Sequence, residues 1–163
     1  TPFKFGEATI FRLRREAEKM VDAFDACLSS EFQDEHEDLS IISCGPETAE
    51  AMRAAYILKS DYGIETRVIN MHTVKPIDRA AIVRAGQETR AIITAEEHQV
   101  GGFGNLVAAV ICTEPQLAGK NPSFAMIGVA DRFGESGKPW QLIKEFGVAA
   151  EHIADKARQL LKL

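Results

Sequence analysis

The sequence has no cluster of lysine and arginine, and its formal net charge is -5. Nucleic acids and anionic membrane surfaces both bind through a basic footprint, so neither is expected as a partner. No apolar stretch approaches the length of a membrane span, and the start, Thr1-Pro-Phe-Lys-Phe5, lacks the apolar core of a signal peptide. The chain does not open on methionine, which leads to the expectation that it is a trimmed piece of something longer. Cysteine is scarce: Cys27, Cys44 and Cys112 are too few and too scattered for a disulfide framework or a zinc site. They read as reduced thiols of a cytoplasmic protein. Cys27 and Cys112 fall in expected helices, where the reading is a small buried hydrophobe. Cys44 stands at a strand end ahead of Gly45-Pro46, where a helix N-terminus would lower its pKa, although no histidine is close in sequence to activate it.

What is present is enough for one core. At 163 residues with 45% hydrophobic content, the chain has the size of a single domain. It is read as one domain over 1–163, with an N-terminal arm over 1–12 and an inserted helix and acidic loop over 14–38. Arg14 to Ser30 places Ala17, Met20, Val21, Phe24 and Leu28 at helical spacing, and Glu31 to Asp38 follows as an acidic loop in which His36 is read as solvated.

From Leu39 the pattern is regular. Leu39 to Ser43 reads as a strand, and Gly45-Pro46 as a turn opening a helix from Thr48 to Ser60. In that helix Ala51, Ala55, Tyr56 and Leu58 are the buried candidates, and Tyr62-Gly63 ends it. Arg67 to Met71 is the next strand. His72 begins a loop, and Asp78 is placed to cap a helix from Arg79 to Ala85 that Gly86 closes. Ala91 to Ala95, Phe124 to Val129, and helices over Leu106 to Leu117, Trp140 to Phe146 and Ala150 to Leu163 complete the order. Strands alternating with helices imply right-handed crossovers. The expected fold is α/β: three layers, a mostly parallel open sheet of about five strands, and helices on both faces.

Polar chemistry concentrates in one stretch, Glu96-Glu-His-Gln-Val-Gly-Gly-Phe-Gly104. Glu96, Glu97 and His98 are expected just past a central strand, where open α/β sheets place their binding surfaces. Gly101, Gly102 and Gly104 are expected to leave the next helix start bare and open to close approach. A phosphate could use such a helix start, but two acidic residues oppose an anion and the spacing is not the Gly-x-Gly-x-x-Gly of dinucleotide binders. Packing of protein against protein is the favoured use of these six residues; no catalytic, cofactor-binding or metal-ligating role is assigned to any residue.

Four features in order resemble the C-terminal domain of the transketolase family of thiamine-diphosphate enzymes. They are Ser43-Cys-Gly45 with its helix; Val68-Ile-Asn-Met-His-Thr-Val-Lys-Pro-Ile-Asp78; Glu96-Glu-His98 with Gly101-Gly-Phe-Gly104; and Ser136-Gly-Lys-Pro139 leading to Phe146-Gly147 and Ile153. Pro2 to Arg12 also resembles the approach to this domain from the preceding one, whereas Arg14 to Asp38 departs from the family pattern. The resemblance implies a role in two-carbon ketol transfer between sugar phosphates, with thiamine diphosphate and Mg bound by other domains. The family's Gly-Asp-Gly motif with its later Asn has no counterpart here. The implied partners are the pyrimidine- and diphosphate-binding domains of the same enzyme, in a homodimer, and the isolated chain is expected to be inactive. Alternatives are the same domain of a 2-oxoacid dehydrogenase β subunit or of deoxyxylulose-phosphate synthase, a free-standing module that binds a small anion at Gly101 to Gly104, and a thiol enzyme built on Cys44.

Overall fold

The computed structural model describes residues 2–13, 27–28, 36–120 and 122–163. Its strands are β1 (Thr9–Leu13), β2 (Cys27–Leu28), β3 (Leu39–Ser43), β4 (Thr66–Asn70), β5 (Ala91–Gln99) and β6 (Ser123–Val129). Its helices are α1 (Glu47–Tyr62), α2 (Arg79–Glu88), α3 (Phe103–Thr113), α4 (Pro139–Glu145) and α5 (Ala150–Leu161), with a 3-10 turn at Pro115–Leu117. The strands form one sheet in the order β2-β1-β4-β3-β5-β6. Neighbours among β4, β3, β5 and β6 are parallel, and β1 is antiparallel to both β4 and β2. The expected α/β class holds, with the two-residue β2 bringing the strand count to six.

β3 lies in the middle of the sheet and is buried along its whole length, as a strand covered on both faces must be. Alternation along the strands divides the apolar residues between two layers. Leu39, Ile41, Val68, Ile93 and Ile127 pack with Leu58, Ile153 and Ala157 of α1 and α5. Ile42, Ile69 and Ile92 pack on the other face with Ile82, Phe103 and Val107 of α2 and α3. α1 carries the chain from β3 to β4 on one side, whereas α2 and α3 carry it the other way, to β5 and then β6. Strand order therefore reverses at β3, and the crevice between the carboxyl ends of β3 and β5 is the topological switch point.

Several local expectations are corrected. Cys27 lies in β2, paired across from Leu13, so no helix runs through to Ser30; the remainder of the expected helix, 14–26 and 29–30, lies outside the described residues, as do 31–35 of the acidic loop. Tyr56 is 41% exposed, because Ala51, Met52, Ala54, Ala55 and Leu58 are the apolar α1 residues turned to the core. Its ring lines a groove of about 530 Å³ with Ile57, Trp140 and Ile143. α2 runs through Gly86 to Glu88. A Cβ at Gly86 would stand 2.9 Å from a methyl of Leu117, so this glycine permits close packing of the 3-10 turn and does not end the helix. Cys112 is exposed, on the side of α3 away from buried Val107 and Val110.

At the amino end of the sheet, Arg12 and Arg67 face each other across the β1–β4 pair. Buried Glu37, just ahead of β3, bridges both guanidinium groups, and Arg67 also pairs with Glu88. His36 beside it is exposed.

Candidate functional site: the carboxyl edge of the sheet

β5 does not stop at Ala95. After a register shift beyond Ala95 it continues to Gln99, which pairs with Val129, so Glu96, Glu97 and His98 belong to an irregular extension of the strand and not to a loop. The irregularity changes which way each side chain faces. Glu96 is fully buried, while Glu97 and His98 are exposed.

Glu96 is used internally. Its Oε2 accepts the amide proton of Phe103 at 2.7 Å, and its Oε1 accepts that of Gly104 at 3.0 Å. These are first-turn amides of α3, which have no partner within the helix. No side chain at Gly102 can cap them, so a carboxylate from the neighbouring strand does so, where the helix dipole favours negative charge. Nδ1 of His98 lies 2.8 Å from the same Oε2, and that clamp fills the space beside the helix start. A Cβ at Gly102 would stand 2.7 Å from Cε1 of His98 and 2.8 Å from Oε2 of Glu96. Gly102 thus makes room for this chain's own Glu96 and His98, and its φ of -86° is ordinary. The positive φ is at Gly101, +113°, whose carbonyl accepts from Asn105 Nδ2 at 3.0 Å. At Gly104 a Cβ would meet Thr94 Oγ1 at 2.8 Å and Met126 Sδ at 2.9 Å, so this glycine lets α3 settle onto β5 and β6.

Across the crevice, β3 is followed by Cys44, whose amide donates to Ala95 carbonyl oxygen at 3.3 Å. A chain of hydroxyls ties this end together: Ser43 Oγ donates to Thr48 Oγ1 at 3.1 Å, and Thr48 Oγ1 to Asn70 Oδ1 at 3.3 Å. The Cys44 thiol is pushed up to about 11, first by burial and then by the negative charge of Glu96 and Glu47. That environment opposes a thiolate and weighs against the thiol-enzyme reading. Sequence reasoning missed Glu47. It opens α1, is fully buried, and neither carboxylate oxygen has a hydrogen-bond partner. Its position directly after Pro46 gave no warning, since an acid in a first helical turn usually reads as a solvated dipole partner.

His72, two residues beyond β4, is half-buried, with the Phe3 ring tilted against it at 4.6 Å and Nδ1 3.0 Å from Thr73 Oγ1. Beyond β6, Arg132 lies over the Phe146 ring at 4.5 Å and pairs with Glu135 and Glu145. Its carbonyl accepts from Gln99 Nε2 at 2.7 Å, which brings this loop against the β5 extension and leaves Phe133 97% exposed.

The family model described as transketolase, C-terminal domain, matches residues 29–153. The chain belongs to the transketolase C-terminal domain family. It is 39% identical over 127 residues to a Methanocaldococcus jannaschii protein provisionally named a transketolase C-terminal section, covering 77% of this chain and 38% of that one. It is 38% identical over 121 residues to 1-deoxy-D-xylulose-5-phosphate synthase 1 of Geobacter sulfurreducens, covering 74% of this chain and 18% of the relative. Among solved structures, a split-gene transketolase described as an inactive β4 tetramer superposes with a TM-score of 0.70 at 37% identity, covering 79% of this chain and 41% of that one. The chain therefore spans well under half the length of these relatives.

Proposed function

We propose that this chain is the C-terminal part of a cytoplasmic, thiamine-diphosphate-dependent transketolase of the pentose phosphate pathway. In that enzyme it supports a homodimer and packs against the pyrimidine- and diphosphate-binding domains, which hold the catalytic centre. The observation that carries this reading is the commitment of Glu96. Both of its oxygens are taken by α3 amides and one also faces His98, so Glu96 holds the shape of this edge and is not itself a free base. Val100 and Phe133, 42% and 97% exposed, stand beside this edge as apolar surface of the kind that marks protein contacts.

The residues present do not fit the cofactor. A diphosphate needs a helix start or basic group with positive potential, but the α3 N-terminus is neutralised by Glu96, and the exposed Glu97 adds acid beside it. Among the described residues, no group of three or more His, Cys, Asp or Glu side chains is placed to hold a metal ion. The same acidity weighs against the small-anion module. A second reading, the corresponding domain of a deoxyxylulose-phosphate synthase, is supported by the Geobacter relative at 38% identity.

Calorimetric titration of the chain with thiamine diphosphate and Mg, followed by mixing with a polypeptide carrying the two cofactor-binding domains, tests the proposal. No binding by the chain alone and ketol transfer by the mixture are expected. Micromolar cofactor binding by the chain alone overturns the assignment, and a mixture that makes only deoxyxylulose phosphate selects the second reading.

A further inference from the structure

Glu47 is a carboxyl group with nothing to hold it. It is 0% exposed, and no donor from any described residue reaches either oxygen, although the turn above it, Gly45-Pro46, is exposed. The titratable neighbours acting on it are also acidic: Glu50 one turn along α1, Glu97 on β5, and the Cys44 thiol at the end of β3. From α5, the Ala150 amide donates to Glu50 at 2.9 Å, and Arg53 on α1 also pairs with Glu50, so the nearby donors are directed to that residue. β4 contributes Asn70, whose Oδ1 accepts from Thr48 Oγ1 and whose amide nitrogen reaches neither oxygen of Glu47. An ionised carboxylate in this place would lack both water and a counter-charge, a combination that proteins avoid by keeping the group neutral.

We propose that Glu47 is a proton-operated latch on the turn between β3 and α1: as a carboxylic acid it lets the turn close over it, and as a carboxylate it drives the turn open to water. Burial, reinforced by Glu50 and Glu97, raises its pKa to about 8, so the closed form holds the proton at neutral pH. In the open form the carboxyl is hydrated and ionises in the ordinary range near 4.5. The closed turn is therefore fully favoured below about pH 4.5, and loses that advantage progressively as pH rises to about 8. Because the turn forms one wall of the crevice opposite Glu96, the latch sets the shape of this edge of the domain within the physiological pH range. The inference stands on the burial and missing partners of Glu47 and does not depend on which enzyme the chain completes.

The test is carboxyl carbon NMR of the chain through pH 4–9, together with amide hydrogen exchange of residues 44–48 in the wild type and in Glu47→Gln. One glutamate is expected to titrate near pH 8. Wild-type exchange, corrected for its intrinsic pH dependence, is expected to rise by about tenfold per pH unit up to that midpoint and then level off, whereas Glu47→Gln stays flat. A Glu47 midpoint below about 5, or parallel exchange in the two proteins, overturns the latch. Should Glu47→Gln fold poorly, the wild-type titration decides.

Discussion

Glu96 and Phe103 stand seven residues apart in the chain, and the carboxylate of one accepts the amide proton of the other at 2.7 Å. This bond and its companion to Gly104 fasten the start of α3 to the end of β5, so the strand extension and the helix act as one piece. Glu96→Ala removes a helix cap and leaves two buried amides without acceptors. A loss of about 2–4 kcal/mol is expected, measured by urea denaturation with an unchanged slope. Glu97→Ala, on the exposed side of the same strand, is the control and should change stability by no more than about 0.5 kcal/mol.

The opposite end of the sheet depends on Glu37. Arg12 and Arg67 lie directly across from each other, a pairing that repels unless a carboxylate stands between them. Glu37→Gln leaves two buried guanidinium groups short of charge and is expected to cost about 2–4 kcal/mol. Glu7→Gln, which breaks the exposed pair with Lys4, should cost less than about 0.5 kcal/mol. Thermal or urea midpoints of the two variants make the comparison.

Much of this was legible in the sequence, because the signals were local. Leu39 to Ser43 read as a strand from a short buried run, Asp78 as a helix cap, and Gly63 as a helix end. Asp78 Oδ1 does accept from the Ala81 amide at 2.9 Å, and Gly63 has φ +66°. The misreadings have one cause: contacts made by residues distant in sequence or on another element. Gly86 looked like a helix end because nothing nearby announces Leu117. Gly102 looked bare because the side chains that fill its space, Glu96 and His98, belong to a strand whose irregular extension has no periodic signature. A Gly102→Val change therefore clashes first with this chain's own clamp. Glu37 was hidden in a run of acids, and its burial follows only once β1 and β4 pair.

The thiols of Cys44 and Cys112 differ in their surroundings. Cys112 is exposed, whereas Cys44 is half-buried with its pKa raised to about 11. At pH 8 roughly one Cys44 in a thousand is thiolate, against about one in four for an ordinary thiol. Alkylation with iodoacetamide followed by peptide mass mapping should label Cys112 at least tenfold faster than Cys44. Equal rates would contradict the acidic environment assigned to Cys44.

The central claim is that the stretch from Glu96 to Gly104 shapes a packing edge and takes no part in chemistry. The most direct test is His98→Ala in the assembled enzyme, read as kcat alongside oligomeric state and cofactor affinity. His98 is mostly exposed and meets Glu96 through Nδ1 at 2.8 Å, a contact worth about 1 kcal/mol, so kcat is expected to stay within about fivefold of wild type. Any loss should appear instead as weaker assembly or faster cofactor release. A fall in kcat of a hundredfold or more, with assembly and cofactor affinity intact, would place His98 in the reaction itself and contradict the account.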